Sequence, residues 1–329
     1  MNGRAFKLGT FARPNGKPFA AIVLDETAID LAAAHAAWGA AGRRALGATA
    51  SLQDLLDDWD RNFAILQEMA AFLEREGATH DPRFGATPVA SLNPRPPIAR
   101  PGKMFYAAQN FQEHVDEMIR AGMSPKDDQW KGEKAKTQPY LFLKAPSCLA
   151  GAHDDIAIPR GLKKIDWEAE IACAIGRPGK HIKPERALDH VAGWMTTNDV
   201  SARDLQIRTD RPALRSDWLN GKSHDGFAPM GPYLVPRAFV KDHMNLFIRL
   251  WVNGVQKQNG NTSQFIFTPE EQIAYGSDIL SLQSGDIFVC GTCGGVGQGT
   301  NTFLNAGDVM ETEVEGLGRM RNRFTAETA

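Results

Sequence analysis

The chain has 329 residues, a length that predicts about two domains. Its 37 Lys and Arg residues nearly balance 39 Asp and Glu residues, so the formal charge of −2 leaves no basic excess for binding a phosphate backbone. Hydrophobic residues make up 43% and charged residues 23%, which is typical of a soluble globular protein. This composition predicts no nucleic-acid partner, and no segment approaches the roughly 20 apolar residues of a membrane span.

The cysteine content predicts a reducing, cytoplasmic environment. Four cysteines are too few and too clustered for a disulfide scaffold in a chain of this length. Residues 1–14 contain no apolar stretch long enough for a secretory signal. The four are Cys148, Cys173, Cys290 and Cys293.

The first hundred residues predict a small α+β domain. Residues 6–31 alternate apolar and polar around an Asn-Gly turn within residues 14–17, which is typical of a hairpin. Ser51 is a suitable N-cap for a long amphipathic helix that would end at Gly77. Six prolines between residues 82 and 101 then exclude a continued helix or a central strand, and the N-terminal domain is predicted to end here.

Past these prolines the pattern predicts a second, strand-rich domain. Short β-branched and aliphatic runs, bounded by Gly-Asp and Pro-Gly pairs, favour a mainly β structure with some α-helix. We therefore expect a small N-terminal domain over residues 1–100 and a larger domain over residues 101–329. Residues 124–138 are polar and aperiodic, which predicts an exposed, mobile loop.

Acidic residues stand out in two apolar segments. In residues 165–175, Asp166, Glu168 and Glu170 share one parity of a predicted strand, and the apolar residues occupy the other. Asp199 follows a second apolar run. Such carboxylates repel one another unless a cation or shared protons neutralise them, and their oxygens suit Mg²⁺, Mn²⁺ or Ca²⁺ better than Zn²⁺. The alternative is a solvated strand face.

A histidine and a glutamate fall on one face of a predicted short helix. His114 and Glu117 are three residues apart, and a carboxylate beside an imidazole raises its basicity, as a general base requires. From the spacing alone, such a pair on a surface helix is more often incidental.

Three further polar residues follow the acidic segments. Lys222 lies in a glycine-flanked segment, predicted to be a loop, where an ammonium could stabilise an enolate. Arg203 and Gln206 are three residues apart, so one helical turn could direct both at a substrate carboxylate. The alternative for Arg203 is a surface salt bridge with Asp204 or Asp210.

The segment Cys290-Gly291-Thr292-Cys293 has dithiol spacing. It follows an apolar strand and precedes further glycines instead of a helix, so we favour a glycine-rich turn over a redox pair. The pair also lacks partners for a zinc site.

Taken together, these segments resemble the fumarylacetoacetate hydrolase family, including its bacterial acylpyruvate hydrolase-like and 2-hydroxyhepta-2,4-diene-1,7-dioate isomerase-like members. The resemblance extends from about Lys103 to Phe324. The matching segments occur in the family's order; they are residues 109–118, 166–170, 198–204, 222–232 and 291–297.

The resemblance implies a role for each matched residue. His114 and Glu117 would form the catalytic dyad, and Lys222 would stabilise developing charge. The implied metal ligands are Glu168, Glu170 and Asp199, with Asp166 outside the ligand set; the implied substrate contacts are Arg203, Gln206 and Thr292. Gln109, Cys293 and the polar insertion after Arg120 depart from the family pattern, and these changes bear on substrate selection.

The resemblance also implies a mixed β-roll, a Mg²⁺ or Mn²⁺ cofactor with Ca²⁺ as a further candidate, a small-molecule 2-oxo or 1,3-dioxo acid substrate, and a homodimer. The expected reaction is hydrolytic carbon–carbon cleavage of an acylpyruvate, with His114 activating water. Three alternatives remain open at this point. They are a 2-oxo acid decarboxylase, isomerase or hydratase; a non-catalytic, metal-stabilised binding protein; and a dithiol redox protein.

Overall fold

The computed structural model describes residues 4–47, 49–122, 134 and 137–328. The strands in these ranges are β1 (Lys7–Ala12), β2 (Pro18–Leu24), β3 (Thr27–Asp30), β4 (Thr87–Pro88), β5 (Asn93–Arg95), β6 (Met104–Ala107), β7 (Leu141–Lys144), β8 (Leu149–Ala150), β9 (Ile156–Ile158), β10 (Ile165–Asp166), β11 (Ala169–Ile175), β12 (Val191–Asn198), β13 (Ser201–Ala202), β14 (Ala228–Pro236), β15 (Phe247–Val252), β16 (Val255–Asn261), β17 (Ile287–Val289), β18 (Val309–Val314) and β19 (Gly318–Ala326). The helices are α1 (Leu31–Ala40), α2 (Leu52–Leu56), α3 (Trp59–Arg75), α4 (Gln112–Arg120), α5 (Arg203–Gln206), α6 (Trp218–Lys222), α7 (Pro269–Ile279) and α8 (Gly297–Thr300). Most of the loop predicted over residues 124–138 lies outside the described residues.

The predicted N-terminal hairpin is confirmed. Strands β1 and β2 pair in antiparallel fashion with Phe11 opposite Phe19, and Asn15 in the turn has the positive φ of 57° that such a turn favours. Ser51 caps the next helix by accepting a hydrogen bond from the Asp54 amide at 3.2 Å.

The prediction of one long helix after Ser51 is wrong, because the segment forms α2 and α3. The chain leaves helical geometry at Asp58, whose φ is −138° and ψ is 59°. Two consecutive aspartates, Asp57 and Asp58, are poor helix formers, and buried residues on both sides of the break are held by packing. The second helix does end before Gly77, which takes the left-handed conformation.

One large mixed sheet organises the chain, in the order β4-β3-β2-β1-β14-β12-β11-β17-β6-β7, with β5 beside β1 and β8 beside β14. Strand β1 pairs with β14, so strands from both predicted domains share this sheet. The domain boundary near residue 100 stays a prediction. A second sheet, in the order β16-β15-β18-β19-β9, covers the other side of the core.

Strand β11 is buried on both faces. Ile171 and Cys173 point into a core that includes residues of β15 and β19, whereas Ala172 and Ala174 pack in the core that contains α2 and α3. All seven residues of the strand are buried. A polar side chain at the start of β11 is therefore removed from solvent and requires a partner.

The single strand predicted over residues 165–175 is interrupted in the structure. Asp166 ends β10, which pairs with β13, and β11 begins at Ala169 beside β12. Trp167 lies between them because its indole Nε1 donates to the Gly295 carbonyl at 3.0 Å. The alternative of a solvated strand face is wrong, since Glu168 and Glu170 are buried.

In the described part of the chain, no helix has both the length and the apolar character needed to cross a bilayer.

Candidate active site and metal centre

Three carboxylates meet at the end of the large sheet. Glu168 lies just before β11, Glu170 lies within it, and Asp199 directly follows β12. One oxygen from each lies within 4.8 Å of the others, and all three residues are buried. The Asn198 side chain accepts a hydrogen bond from the Glu168 amide at 3.0 Å, and the Asp199 amide donates to the Glu168 carbonyl at 2.8 Å. These bonds fix the two strand ends against each other.

Two buried lysines contact this cluster. The ammonium of Lys222 lies 2.7 Å from Glu168 Oε2 and 2.7 Å from Asp199 Oδ2. Lys144, at the end of β7, donates to Asp199 Oδ1 at 2.8 Å and to the Phe227 carbonyl at 2.7 Å. The prediction that Lys222 lies in a loop is wrong, because Lys222 is the last residue of α6, which begins at an Asp217 cap.

Sequence reasoning missed Lys144. A signal was present, because Lys144 ends an apolar strand and shares its parity with Phe142, which lines the same cavity as Lys222. A charged side chain with the parity of a buried position needs an internal partner, and Asp199 supplies it.

Neighbouring charges shift the pKa values of Glu168 and Glu170 in opposite directions. Burial alone would raise the pKa of Glu168, but the positive charges of Lys222 and Arg203 outweigh it and hold that pKa well below its ordinary value. Burial, together with the negative charges of Asp199 and Glu168, raises the pKa of Glu170 well above its ordinary value. Within the cluster, Glu170 is therefore the carboxyl group that most readily holds a proton.

The lysines differ in the same way. Burial lowers the pKa of Lys144 and outweighs its contact with Asp199. For Lys222 burial also acts to lower the pKa, but the charges of Asp199 and Glu168 overcome it and raise the pKa. Lys222 is therefore firmly charged.

The cluster fits a divalent cation. Its three converging donors are all carboxylate oxygens, the ligand type of Mg²⁺, Mn²⁺ and Ca²⁺. The raised pKa of Glu170 points the same way, because a cation would favour the ionised carboxylate that now lacks a positive partner.

Arg203 is oriented by a ring of polar partners. Its Nε donates to Asp166 Oδ2 at 2.8 Å, and another guanidinium nitrogen contacts Glu168. The Gln206 amide oxygen accepts a bond from Arg203 Nη1 at 3.0 Å, so the pair does lie on one helical turn. The alternative of a surface salt bridge to Asp204 or Asp210 is wrong.

Asp166 lies outside the three-carboxylate cluster. Besides Arg203, it accepts hydrogen bonds from the amides of Gly297 at 2.6 Å and Gln298 at 3.0 Å. Asp166 therefore ties the arginine to the start of α8.

The predicted dyad lies on α4. His114 is buried, and its Nδ1 lies 3.6 Å from Glu117 Oε2, slightly beyond hydrogen-bond length. Glu117 accepts from the Gly295 amide at 3.2 Å, and a side chain at position 299 would collide with its carboxylate. No described residue hydrogen-bonds to His114 Nδ1.

The segment from Cys290 to Cys293 is buried and has no regular secondary structure, so the predicted turn stays a prediction. Both thiols are free, and burial raises the pKa of Cys293 to about 12, so its sulfur is protonated at neutral pH. The Thr292 hydroxyl donates to the Ala169 carbonyl at 2.9 Å and accepts from Gln258 at 2.9 Å. Its proton is therefore already committed, although Thr292 does line the site.

A cavity of about 230 Å³ joins these groups. Glu168, Lys222 and Arg203 lie on its wall together with His114 and Thr292. Phe142, Trp218, Met118 and Ile207 add apolar surface together with Ala107 and Ala108, and the polar part of the lining is completed by Gln109, Gln206, Arg215, Ser216 and Gln298. Glu170, Asp199, Lys144 and Glu117 support this wall from behind.

Comparison with known proteins agrees with this architecture. The family model described as "Fumarylacetoacetate (FAA) hydrolase C-terminal" matches residues 103–325. The chain therefore belongs to the fumarylacetoacetate hydrolase family. Its mainly β structure with some helix is the fold expected from the sequence.

Particular relatives refine the comparison. The chain is 36% identical over 269 residues to the mitochondrial oxaloacetate tautomerase Fahd2a of Rattus norvegicus, a match that covers 79% of this chain and 80% of the relative. It is 39% identical over 228 residues to the mitochondrial oxaloacetate tautomerase fahd2 of Xenopus laevis, with 69% and 66% covered.

Solved structures resemble the whole chain. A fumarylacetoacetate hydrolase from Exiguobacterium antarcticum superposes with a TM-score of 0.72 at 26% identity, covering 98% of this chain and 100% of that one. A 2-hydroxyhepta-2,4-diene-1,7-dioate isomerase from Mycobacterium marinum gives a TM-score of 0.68 at 24% identity, with 98% and 100% covered. Relatives of this fold thus carry names of hydrolases, isomerases and tautomerases, which are all enzymes.

Proposed function

We propose that the protein is a divalent-metal-dependent enzyme that interconverts the keto and enol forms of a small 2-oxo acid. One observation carries the proposal: a buried carboxylate cluster with two cationic neighbours adjoins a cavity that is also lined by His114, whose Nδ1 faces Glu117. The tautomerases among the relatives support the same reaction class.

Each residue has a part in this chemistry. A divalent cation held by Glu168, Glu170 and Asp199 would polarise the 2-oxo group and stabilise the negative charge of an enolate. Lys222 and Arg203 present fixed positive charge to the substrate's oxygens in a site removed from water. Because this charge is already in place, little reorganisation accompanies the reaction.

His114 is the proton carrier of the proposal. It removes a proton from C3 of the keto acid, and the imidazolium so formed gives that proton to the enolate oxygen, which yields the enol; in the reverse direction His114 takes the enol proton and delivers it to C3. Glu117 orients the ring from the adjacent turn of α4. The 3.6 Å spacing shortens to a hydrogen bond once substrate is present, as apo sites often allow.

Hydrolytic cleavage of an acylpyruvate is the second candidate. The His114–Glu117 pair favours it, since a base backed by a carboxylate can also take a proton from water. The water oxygen would attack the distal carbonyl, the carbon–carbon bond would break, and the enolate of pyruvate would leave and gain a proton at C3. This route uses the same charged groups as the first.

Product analysis separates the two reactions. The purified protein with Mg²⁺ or Mn²⁺, against a chelator control, is given enol oxaloacetate, acetylpyruvate and fumarylpyruvate, and each ultraviolet enol band is followed together with chromatography of the products. Accelerated decay of the oxaloacetate band without new products supports tautomerisation. Release of pyruvate with a free acid supports hydrolysis, and unchanged bands in all three contradict both.

The finer assignments complete the proposal. We propose Mg²⁺ or Mn²⁺ as the native metal, because the donors are all oxygen, and a homodimer by family resemblance. The four free, buried thiols support a reducing cytoplasm. Sedimentation and elemental analysis of the purified protein test the first two.

A further inference from the structure

Arg215 lines the same cavity as Glu168 and Lys222, but at its solvent end. The segment carrying it folds back beside α5. Ile207 forms a β-bridge with Ser216, and the Arg208 amide donates to the Arg215 carbonyl at 2.8 Å. This return places the exposed Arg215 in the cavity lining, whereas the carboxylate cluster is buried.

Arg215 differs from the other arginines near it. Arg203 is paired with Asp166 and Glu168, and Arg208 with Asp210 and Asp217. For Arg215, no described carboxylate lies within 4.0 Å of the guanidinium. An arginine that faces a binding cavity without a partner is available to an anionic group of the ligand.

The backbone at Arg215 is also unusual. Its φ of 56° lies in the left-handed region, which glycine or asparagine occupies more easily. Such a conformation persists only where the surroundings hold it. Here the bridge at Ser216 and the bond from the Arg215 amide to the Arg211 carbonyl, at 3.2 Å, hold it.

The cavity has cationic side chains at two depths. Lys222 and Arg203 are buried and paired with carboxylates, whereas Arg215 is exposed. Phe142 and Trp218 contribute apolar surface to the same cavity. A ligand whose 2-oxo end lies at the buried cluster can therefore meet Arg215 with its other end, and an unpaired guanidinium favours an anionic group there.

We propose that Arg215 is a specificity-determining residue that binds a second carboxylate at the far end of the substrate. The ligand class is a short 2-oxo dicarboxylic acid, whose 2-oxo carboxylate end lies at the buried cluster. This inference rests on the proposed function for the orientation of the 2-oxo end. It adds the identity of the group at the other end.

The experiment compares two probes that share the 2-oxo end. Fumarylpyruvate carries a distal carboxylate and acetylpyruvate does not. Binding of each is measured by calorimetry with Mg²⁺ in the His114→Ala background, which slows consumption of the probes. The variants are Arg215→Gln and, as a matched control, Arg211→Gln. Arg211 is an exposed arginine of the same segment that does not line the cavity.

We expect Arg215→Gln to weaken fumarylpyruvate binding about tenfold to a hundredfold, the effect of losing one hydrogen-bonded charge pair. Acetylpyruvate binding should change little, and Arg211→Gln should change neither. The circular dichroism spectrum of each variant verifies that it is folded.

The outcomes separate the role of Arg215 from the proposed reaction. Equal loss for both probes, no loss for either, or no measurable binding of fumarylpyruvate before Arg215 is changed overturns the role of Arg215. Turnover of enol oxaloacetate and of both probes by the wild-type protein is scored separately. A selective effect of Arg215→Gln without any turnover supports the carboxylate contact and contradicts the proposed reaction.

Discussion

The two halves of the candidate site are built differently. At the end of the sheet, Glu168, Asp199, Lys144 and Lys222 are buried and mutually paired. On the rest of the cavity wall, the groups have unused hydrogen-bonding capacity: no described residue hydrogen-bonds to Nδ1 of the buried His114, and no described carboxylate pairs with the exposed Arg215.

This contrast separates two tasks. The sheet end holds charges in fixed positions, which suits the binding of a cation and the stabilisation of an enolate. The rest of the cavity wall offers groups that are free to bind a ligand. It therefore governs which acid binds and which atom gains or loses a proton.

Removing the cation from the sheet end should have the largest effect. Glu170→Gln replaces a carboxyl whose pKa is already raised by burial and by Asp199, so the change is nearly isosteric without metal. We expect turnover to fall about 10⁴-fold, because a bound cation contributes several kcal/mol to charge stabilisation. Kinetics and calorimetric titration with Mg²⁺ measure both losses.

The control for that variant is its thermal unfolding in chelator, which should match the wild-type curve. Wild-type metal affinity in Glu170→Gln would contradict the assignment of the cluster.

Replacing the proposed base, His114, should not affect metal binding at the sheet end. His114→Ala is expected to lower kcat by about 10³-fold, within the usual range for a general base, while metal affinity stays at the wild-type level. The matched control is Asp116→Ala, an exposed position on the same helix. If His114→Ala turns over substrate at the wild-type rate, the dyad is wrongly assigned.

Lys144 tests whether the sheet end is a mutually dependent charge cluster. Lys144→Met removes one partner of a fully buried pair and leaves Asp199 with Lys222 alone. The free energy of unfolding should fall by about 3 kcal/mol, the lower end for breaking a buried ion pair. Denaturant unfolding measures it, and a change below about 0.5 kcal/mol, the size of an ordinary surface substitution, would contradict the pairing.

The smallest effect on activity is expected in the segment from Cys290 to Cys293. Cys293→Ser should leave kcat/KM close to the wild-type value, because burial keeps that sulfur protonated and the reaction does not use it. Loss of activity in the folded variant would instead favour the dithiol redox alternative.

The sequence predicted the site residues at the sheet end better than those on the rest of the cavity wall. Parity along residues 165–175 identified Glu168 and Glu170, since strand alternation is a local property. The break at Trp167 was missed because it depends on Gly295, more than a hundred residues away. For Lys144, the parity of its apolar strand marks a buried charge, but it does not identify the partner Asp199, which is distant in sequence.

On the rest of the cavity wall, local patterns identified residues but not their contacts. Spacing placed His114 with Glu117 and Arg203 with Gln206, and both pairs lie on helical turns. The Arg203 contacts with Asp166 and Glu168 were not foreseen, because they join two segments through the fold. Arg215 carried no sequence signal beyond its charge.

The central claim is that His114 moves a proton at C3 of a 2-oxo acid held at the carboxylate cluster. The most direct test follows the exchange of pyruvate methyl protons for deuterium by NMR, in the presence of Mg²⁺ or of a chelator. We predict metal-dependent exchange that is lost in both His114→Ala and Glu170→Gln. Metal binding without any exchange above the chelator control would contradict the account.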